Sequence, residues 1–346
     1  MRDKQPSDDS MQDFLSLVKK AEAGLRGRHP GEWLDRLEAE HERLNTVLDW
    51  CLAHERSELG LEIAGAVWPF WLHRSHMQEG REWLAKMLAT ADTADASLGR
   101  ARTLMGAGTL AFFQGDSEAS AQQLQASLTL CERLDFAQGI AEAHSGLSRV
   151  AMAQGKPDEM RSHSHTALEV ARRTANESGI AIALHHLAHA ELMEGNLAEA
   201  ERLYAENVET YRSMERDDLV VSELHNLGHV ACLRGQHGRA RSLFIESLER
   251  GEQAGNDANR PYNLIGLGRV AIALGKPDAA AVLLNAGLMI LHAQGKVVVP
   301  LLRAAVEQAV TATKAALPAT DHEAAAARGK ALATDEAIQL ADALQV

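Results

Sequence analysis

Four histidines stand at matching positions in two successive segments of the chain, and histidine is the residue type whose ordinary pKa lies nearest to neutral pH. They form two His-x-x-x-His pairs, at His185 and His189 and at His225 and His229. Residues four apart on a helix share one face, with Cβ atoms about 5–6 Å apart. Neighbouring packed helices lie roughly 8–10 Å apart. We therefore expect the four imidazoles to converge on one small space.

Several kinds of chemistry fit such a cluster. The histidines are either solvated side chains in a chain with 16 histidines, donors to an anionic or polar ligand, or ligands of a transition metal such as Zn, Fe or Cu. No carboxylate is clearly placed beside them, and Glu142 and Glu191 are the nearest candidates. An enzyme would use His189 and His229 for acid–base or metal-assisted chemistry. The chain has no nucleophile elbow, carboxylate dyad or Cys-His pair of known spacing, so catalysis is the alternative and binding the main prediction.

A regular sequence repeat must position these side chains. Its clearest mark is a glycine at every fortieth position of one stretch: Gly115, Gly155, Gly195, Gly235 and Gly275. Each glycine closes one short apolar helical pattern and opens a second. Self-similarity at a fixed period is typical of stacked repeat proteins, in which each unit buries its apolar face against its neighbours.

Positions that are equivalent in successive repeats, here called columns, predict how the two helices of a repeat pack. Seven residues before each glycine stands a small residue: Gly108, Ser148, Ala188, Gly228 and Gly268. Nine residues after it stand Leu124, Ser164, Tyr204, Phe244 and Leu284. We expect the small residue of helix A to admit the larger one of helix B, and the glycine to adopt the left-handed turn between them. A degenerate earlier copy has Ser75 at the glycine position.

This pattern resembles the tetratricopeptide repeat, although its 40-residue period exceeds the roughly 34 residues usual for that repeat, which implies longer second helices or connections. The resemblance implies an all-α, right-handed α-solenoid of about six hairpins with helical caps. We expect a partly flexible segment at 1–29, a solenoid at 30–298 sealed by a tryptophan-rich N-terminal cap, and C-terminal capping helices at 299–346. The last region has helical patterns at Pro300–Leu317, Asp321–Lys330 and Thr334–Leu344, with Thr334 as an N-cap.

The same resemblance places the histidines in a concave groove. In tetratricopeptide folds, the residues thirteen, ten, six, three and two before the turn glycine face it. Arg149 and Arg269 then flank the histidines in one column. Other groove positions hold Met193, Cys232, Phe112, Phe113 and Tyr262. A polar rim, an apolar floor and converging donors are typical of a ligand pocket, so we predict binding of a small polar or anionic molecule or a peptide.

Three further sequence segments indicate a more specific family resemblance. They are EHERLNTVLDW (Glu40–Trp50), FWLHRSHMQEGREWL (Phe70–Leu84) and RGKALATDEAI (Arg328–Ile338). Together they resemble the C-terminal sensor region of bacterial ATPase-type and LuxR-like transcriptional regulators, which implies a module that works beside a regulator or ATPase domain. Arg43 and Ser75 depart from the usual Asn and Gly of that pattern. The chain has no G-x-x-x-x-G-K-[ST] phosphate loop, so the ATPase activity is not carried over.

Composition limits the partners. The formal net charge of −13 argues against direct contact with nucleic acid, which needs a clustered basic face. Three widely separated cysteines suit a reducing cytoplasm, and no apolar run is long enough for a signal peptide or a membrane span. We therefore expect a cytoplasmic protein with no membrane partner and no required cofactor. A scaffold for helical peptides is the remaining alternative.

Overall fold

The computed structural model describes residues 8–25, 30–90, 96–294, 296, 298 and 300–344, and every regular element among them is a helix. The first nine helices are α1 Asp8–Leu25, α2 Pro30–Ala39, α3 His41–Ala53, α4 Ser57–His73, α5 Met77–Thr90, α6 Leu98–Phe113, α7 Ser117–Arg133, α8 Ala137–Ala153 and α9 Pro157–Arg173. The remainder are α10 Glu177–Met193, α11 Leu197–Ser213, α12 Asp217–Leu233, α13 His237–Gln253, α14 Arg260–Ala273, α15 Pro277–Ala293, α16 Pro300–Ala316, α17 Ala319–Gly329 and α18 Thr334–Asp342.

The 40-residue period consists of two equal helices. From α7 to α13 every helix has 17 residues, and three residues join each helix to the next. The extra length expected in the second helices or the connections is therefore not confined to them, since the first helices are equally long. The helices from α4 to α15 form six hairpins, which confirms the all-α architecture of stacked helical hairpins that the period predicted.

The turn inside each hairpin has the backbone that its glycine predicts. All five repeat glycines have φ between 68° and 82°, and Ser75 has φ 63° at the equivalent position. A Cβ added to any of the five would meet nothing within 4 Å. Glycine is therefore favoured here by the left-handed backbone alone and not by crowding.

The two helices of a hairpin meet through the predicted columns. A Cβ on Gly108 of α6 would lie 2.7 Å from Cγ of Leu124 on α7, so only glycine fits at this approach. In the next hairpin the column residues are both small, and the Oγ atoms of Ser148 and Ser164 lie 2.7 Å apart in a buried hydrogen bond. Small residues opposite the next helix thus set how closely the two helices approach.

The chain divides into two compact units, Met1–Ala183 and Leu184–Val346, with the boundary inside α10. In the first unit α1 packs on α4 and buries Phe14 and Val18 in a cluster that also contains Phe70, Trp71 and Leu84. The sequence predicted only a partly flexible segment at 1–29. Residues 8–25 form α1, which the sequence did not predict, and residues 1–7 and 26–29 lie outside the described part of the chain.

The second unit ends in the three helices expected after residue 299. Of these, α18 packs against α13 and α14. The predicted N-cap at Thr334 is wrong, because Thr334 is already the first helical residue and Ala333 has the extended backbone of the cap. The side chain of Glu336 accepts a hydrogen bond from the Ala333 backbone N–H at 3.1 Å, which completes this helix start. Among the described residues, every helix is too short or too polar to span a lipid bilayer.

Candidate functional site

The four histidines belong to the second unit, on α10 and α12, and the side chains that contact them come from α11, α12, α13 and α14. Each histidine stands ten or six residues before its turn glycine. Because these two positions are four residues apart, they lie on one face of the first helix of each hairpin.

His185 is paired with a buried carboxylate. Its Nδ1 atom lies 2.8 Å from Oε1 of Glu223, whose side chain is 2% exposed. The other oxygen of Glu223, Oε2, is buried without a hydrogen-bond partner among the described residues. The carboxylate beside the histidines is therefore one that sequence reasoning missed. Glu191 instead accepts a hydrogen bond from Asn196, and Glu142 belongs to the first unit.

His225 is held in one tautomer by a buried chain of hydrogen bonds. The Ser247 hydroxyl donates to the Val221 carbonyl (2.8 Å) and accepts from the Asn263 amide nitrogen (2.8 Å). The Asn263 oxygen therefore faces His225, whose Nδ1–H donates to it over 3.0 Å. Burial lowers the pKa of His225 to about 4, although the bond to Asn263 acts in the opposite direction. His225 is thus a neutral imidazole with its lone pair on Nε2.

The tautomer of His229 follows from its contact with Arg269. Nη1 of Arg269 lies 2.9 Å from Nδ1 of His229, and a guanidinium can only donate, so Nδ1 is the acceptor. The neutral ring must then carry its proton on Nε2. Burial, reinforced by the charge of Arg269, lowers the pKa of His229 well below its ordinary value. His229 is 4% exposed, and its Nε2–H has no hydrogen-bond partner among the described residues.

Arg269 carries a charge that no carboxylate balances within the described residues, since its one hydrogen bond there is to His229. Burial lowers the pKa of the Arg269 guanidinium. Burial also raises the pKa of the nearby Cys232 thiol to about 11, so this cysteine is a neutral thiol and not a counter-ion. An unpaired imidazole N–H and an uncompensated guanidinium therefore stand side by side, and both attract an anionic acceptor.

His189 completes the cluster from α10. Its ring is stacked on that of His185 with centroids 6.2 Å apart, and its Nδ1 lies 3.4 Å from the Tyr204 hydroxyl. Burial, helped by His185, lowers the pKa of His189 to about 4. Three of the four histidines thus have a firm protein partner on Nδ1, and His189 a long one. No three ligand atoms of this cluster lie within 4.8 Å of one another, whereas in the described chain those of Glu38, His41 and His76 do. A metal ion at the four histidines therefore stays a prediction.

The remaining predicted residues are divided between the two units. Tyr262 belongs to the second unit, where its ring lies 5.9 Å from that of His225, and the half-buried Met193 and Cys232 belong to it as well. Arg149 and Phe113 belong to the first unit. There the Arg149 guanidinium lies over the rings of Phe112 and Phe113, at 5.7 and 5.6 Å from their centroids. Of the two arginines expected to flank the histidine cluster, Arg269 therefore lies in the same unit as the four histidines.

Two sequence signals pointed to the missed partners. Glu223 and Asn263 both stand twelve residues before their turn glycine, in a column that otherwise holds Thr103, Ala143 and Ala183. Each pairs with the histidine ten residues before the preceding glycine, 38 positions earlier in the chain. A strongly polar residue in a column of small residues was therefore the available sign of a buried partner.

The comparisons with known proteins agree with this architecture. A family model of the tetratricopeptide repeat matches residues 139–213 and 221–291. No curated protein matches the sequence.

Several solved structures have similar folds. A Rap protein in complex with Competence and Sporulation Factor aligns over 96% of this chain and 98% of its own, with a TM-score of 0.59 and 14% identity. Aspartyl phosphate phosphatase F from Bacillus subtilis aligns over 96% and 86%, with a TM-score of 0.60 and 11% identity. The apo form of RapI aligns over 73% and 97%, with a TM-score of 0.55 and 9% identity. At these identities the likeness concerns the fold alone.

Proposed function

We propose that the second unit, in which residues 221–291 match a family model of the tetratricopeptide repeat, is a binding module for an anionic ligand, either a small molecule or a peptide with a carboxylate or phosphate group. The observation that carries this proposal is the pairing of His229 and Arg269. The buried Nε2–H of His229 has no partner in the described chain, and the adjacent guanidinium has no carboxylate beside it.

The physical reason is the cost of leaving these groups unpaired. A buried donor without an acceptor costs about 1–3 kcal/mol, and more beside an uncompensated charge. An anion bound here accepts a hydrogen bond from His229 Nε2–H and pairs with the Arg269 guanidinium, whose planar fork suits carboxylates and phosphates. Tyr262 and Cys232 supply half-buried surface for the rest of the ligand.

One protein with a similar fold is known in complex with a partner molecule. The Rap protein named above was solved in complex with Competence and Sporulation Factor, so a protein of related architecture holds a partner molecule. The three sequence blocks that resemble regulator sensor regions support a finer proposal, in which ligand binding here is communicated to a transcriptional regulator. A freestanding enzyme that uses His189 and His229 is the weaker proposal, because their Nδ1 atoms already face Tyr204 and Arg269.

The test compares peptides that end in a free carboxylate with the same peptides amidated at the C-terminus, together with phosphate-bearing small molecules. Binding is measured by calorimetry on the wild type and on Arg269→Met, His229→Phe and Arg149→Met. Arg149 is the matched control, since it occupies the same repeat position in the first unit. We expect at least about tenfold weaker binding of the free acid in the first two variants and no change in the third.

The ligand-free protein supplies a second readout. Replacing the uncompensated pair, in the double variant His229→Phe/Arg269→Met, should raise the free energy of unfolding by about 1 kcal/mol or more while it abolishes binding. A double variant that is less stable than the wild type, or an Arg149→Met variant that loses binding equally, would contradict the proposal.

A further inference from the structure

We propose that the first unit contains a separate binding site for a divalent transition-metal ion, with zinc as the best-fitting ion, held by Glu38, His41 and His76. Ligand atoms of these three side chains all lie within 4.8 Å of one another, the only such group among the described residues. The site belongs to a different unit from the His229–Arg269 pair and does not depend on the proposed function.

Different elements bring the ligands together. Glu38 lies near the end of α2, His41 is the first residue of α3, and His76 lies in the turn just before α5. The rings of His41 and His76 have centroids 4.4 Å apart. The preceding residue, Ser75, has the left-handed backbone of the hairpin turn, which positions His76 where α5 begins. A metal ion here would therefore tie α2, α3 and the α4–α5 turn together.

The distance between the ligand atoms of Glu38 and His76 fits coordination of a shared metal ion better than a direct hydrogen bond. Both carboxylate oxygens of Glu38 lie 3.3 Å from Nε2 of His76, which is longer than the usual hydrogen-bond range. Two ligands of one tetrahedral zinc ion, each about 2.0–2.2 Å from the metal, stand about 3.4 Å apart. The observed separation is thus close to that of two donors that share an ion.

A fourth side chain, Glu79 on α5, contacts the imidazole of His41 and lies near that of His76. Its Oε2 lies 2.9 Å from Nε2 of His41 and 3.9 Å from Nδ1 of His76. Its Oε1 accepts a hydrogen bond from the Asn45 amide (2.6 Å), and the Asn45 oxygen accepts one from the Trp83 indole N–H (2.9 Å). A carboxylate beside metal-binding histidines, itself held by hydrogen bonds, is the usual outer layer of a metal site. The part-buried bonds from Asn45 and Trp83 give Glu79 this position.

Charge and ligand chemistry indicate the class of ion. Two imidazoles and a carboxylate suit zinc and neighbouring transition metals, whereas calcium and magnesium prefer oxygen ligands alone. The carboxylates of Glu38 and Glu79 together balance a doubly charged cation. Partial exposure of Glu38, at 44%, leaves a path for the ion and a coordination position for water.

The experiment uses the full chain without a histidine tag, freed of metal by a chelator and titrated with Co²⁺ and then Zn²⁺. We expect one equivalent of Co²⁺ to give the visible absorption of a low-symmetry site, Zn²⁺ to displace it, and Zn²⁺ to raise the melting temperature. Glu38→Gln and His76→Gln should each weaken Zn²⁺ binding at least tenfold, and Glu79→Gln by about 10–100-fold as expected for an outer-layer partner. His165→Gln is the matched control, since this exposed histidine lies in the same unit.

The proposal is overturned if the wild type gives no Co²⁺ absorption, or if Glu38→Gln binds Zn²⁺ as tightly as the wild type. The side chain of Glu38 is exposed enough for its amide to preserve the fold, which circular dichroism checks. Arg269→Met should bind Zn²⁺ normally, so failure of this site and failure of the anion site remain distinguishable.

Discussion

At the scale of single residues, buried neutral histidines make the stability of the second unit depend on pH. Burial lowers the pKa of His225 from 6.5 to about 4, and it shifts the pKa values of His189 and His229 in the same direction. The unfolded chain takes up these protons near pH 6.5. In the folded chain His225 and His189 take them up only near pH 4, and the pKa of His229 also lies well below its ordinary value. Between these values the unfolded state binds more protons, so stability rises with pH.

We therefore predict that the free energy of unfolding falls as the pH is lowered from about 6.5 to 4. The slope is at most about 1.4 kcal/mol per pH unit for each fully buried histidine, and less for the half-buried His189. Urea denaturation at several pH values measures the slope. His225→Leu should reduce it and the exposed His165→Gln should leave it unchanged, whereas equal slopes in all three proteins would refute the assignment.

At the scale of the elements, the turns divide into two kinds. The turn within a hairpin mostly has glycine, but the turn between hairpins has a left-handed backbone at Asp135, Ala175 and Glu215 as well. A residue with a Cβ is strained in this conformation. Sequence columns missed the second set because no common residue type marks it.

The left-handed backbone of both turns predicts that replacing alanine by glycine stabilises a turn, whereas the same replacement within a helix is destabilising. Ala175→Gly should raise the free energy of unfolding by about 0.5–1 kcal/mol, because Ala175 has φ 50°. Gly155→Ala should lower it by about 1 kcal/mol, although its Cβ would meet nothing within 4 Å. Ala126→Gly, on the exposed face of α7, should lower it by about 0.5–1 kcal/mol. A stabilising Gly155→Ala variant would show that the turn is free to relax.

Packing between helices depends on glycine for another reason. Phe244 of α13 is fully buried between two glycines, and an added Cβ would lie 2.7 Å from its ring at Gly228 and 2.4 Å at Gly266. We predict that Gly266→Ala costs roughly 1–3 kcal/mol through overpacking. The double variant with Phe244→Leu should cost less than the sum of the two single changes, because the smaller side chain frees the space. Gly31→Ala, where nothing lies within 4 Å, is the control. If the costs of Gly266→Ala and Phe244→Leu simply added, direct contact between these two positions would be contradicted.

At the scale of the whole molecule, the division into two units predicts that unfolding is not a single all-or-none step. All five tryptophans lie between Trp33 and Trp83, within the first unit. Tryptophan fluorescence therefore reports on that unit, whereas far-ultraviolet circular dichroism reports on all helices. Gly266→Ala should shift the dichroism transition in urea to lower concentration and leave the fluorescence transition in place. A parallel shift of both would mean that the two units unfold together.

The candidate site was only partly predictable from the sequence. Column positions correctly related His229 to Arg269, which stand six residues before successive glycines and are hydrogen-bonded. They did not relate His185 to Glu223, because these two residues stand ten and twelve residues before successive glycines and so belong to different columns. The side chains of Glu38, His41 and His76 lie outside the regular columns altogether, so no period could have joined them.

By itself, the sequence determined the helical repeat, the turn inside each hairpin and the contact between its two helices. These features are local: the columns at Gly108 and Leu124 lie on two helices joined by one tight turn, and the turn conformation leaves few ways for them to meet. Only the tertiary structure decided the buried partners of the histidines, the packing of α1 and the boundary inside α10. Those depend on the direction of each side chain and on the offset between helices of successive repeats, which helical periodicity does not specify.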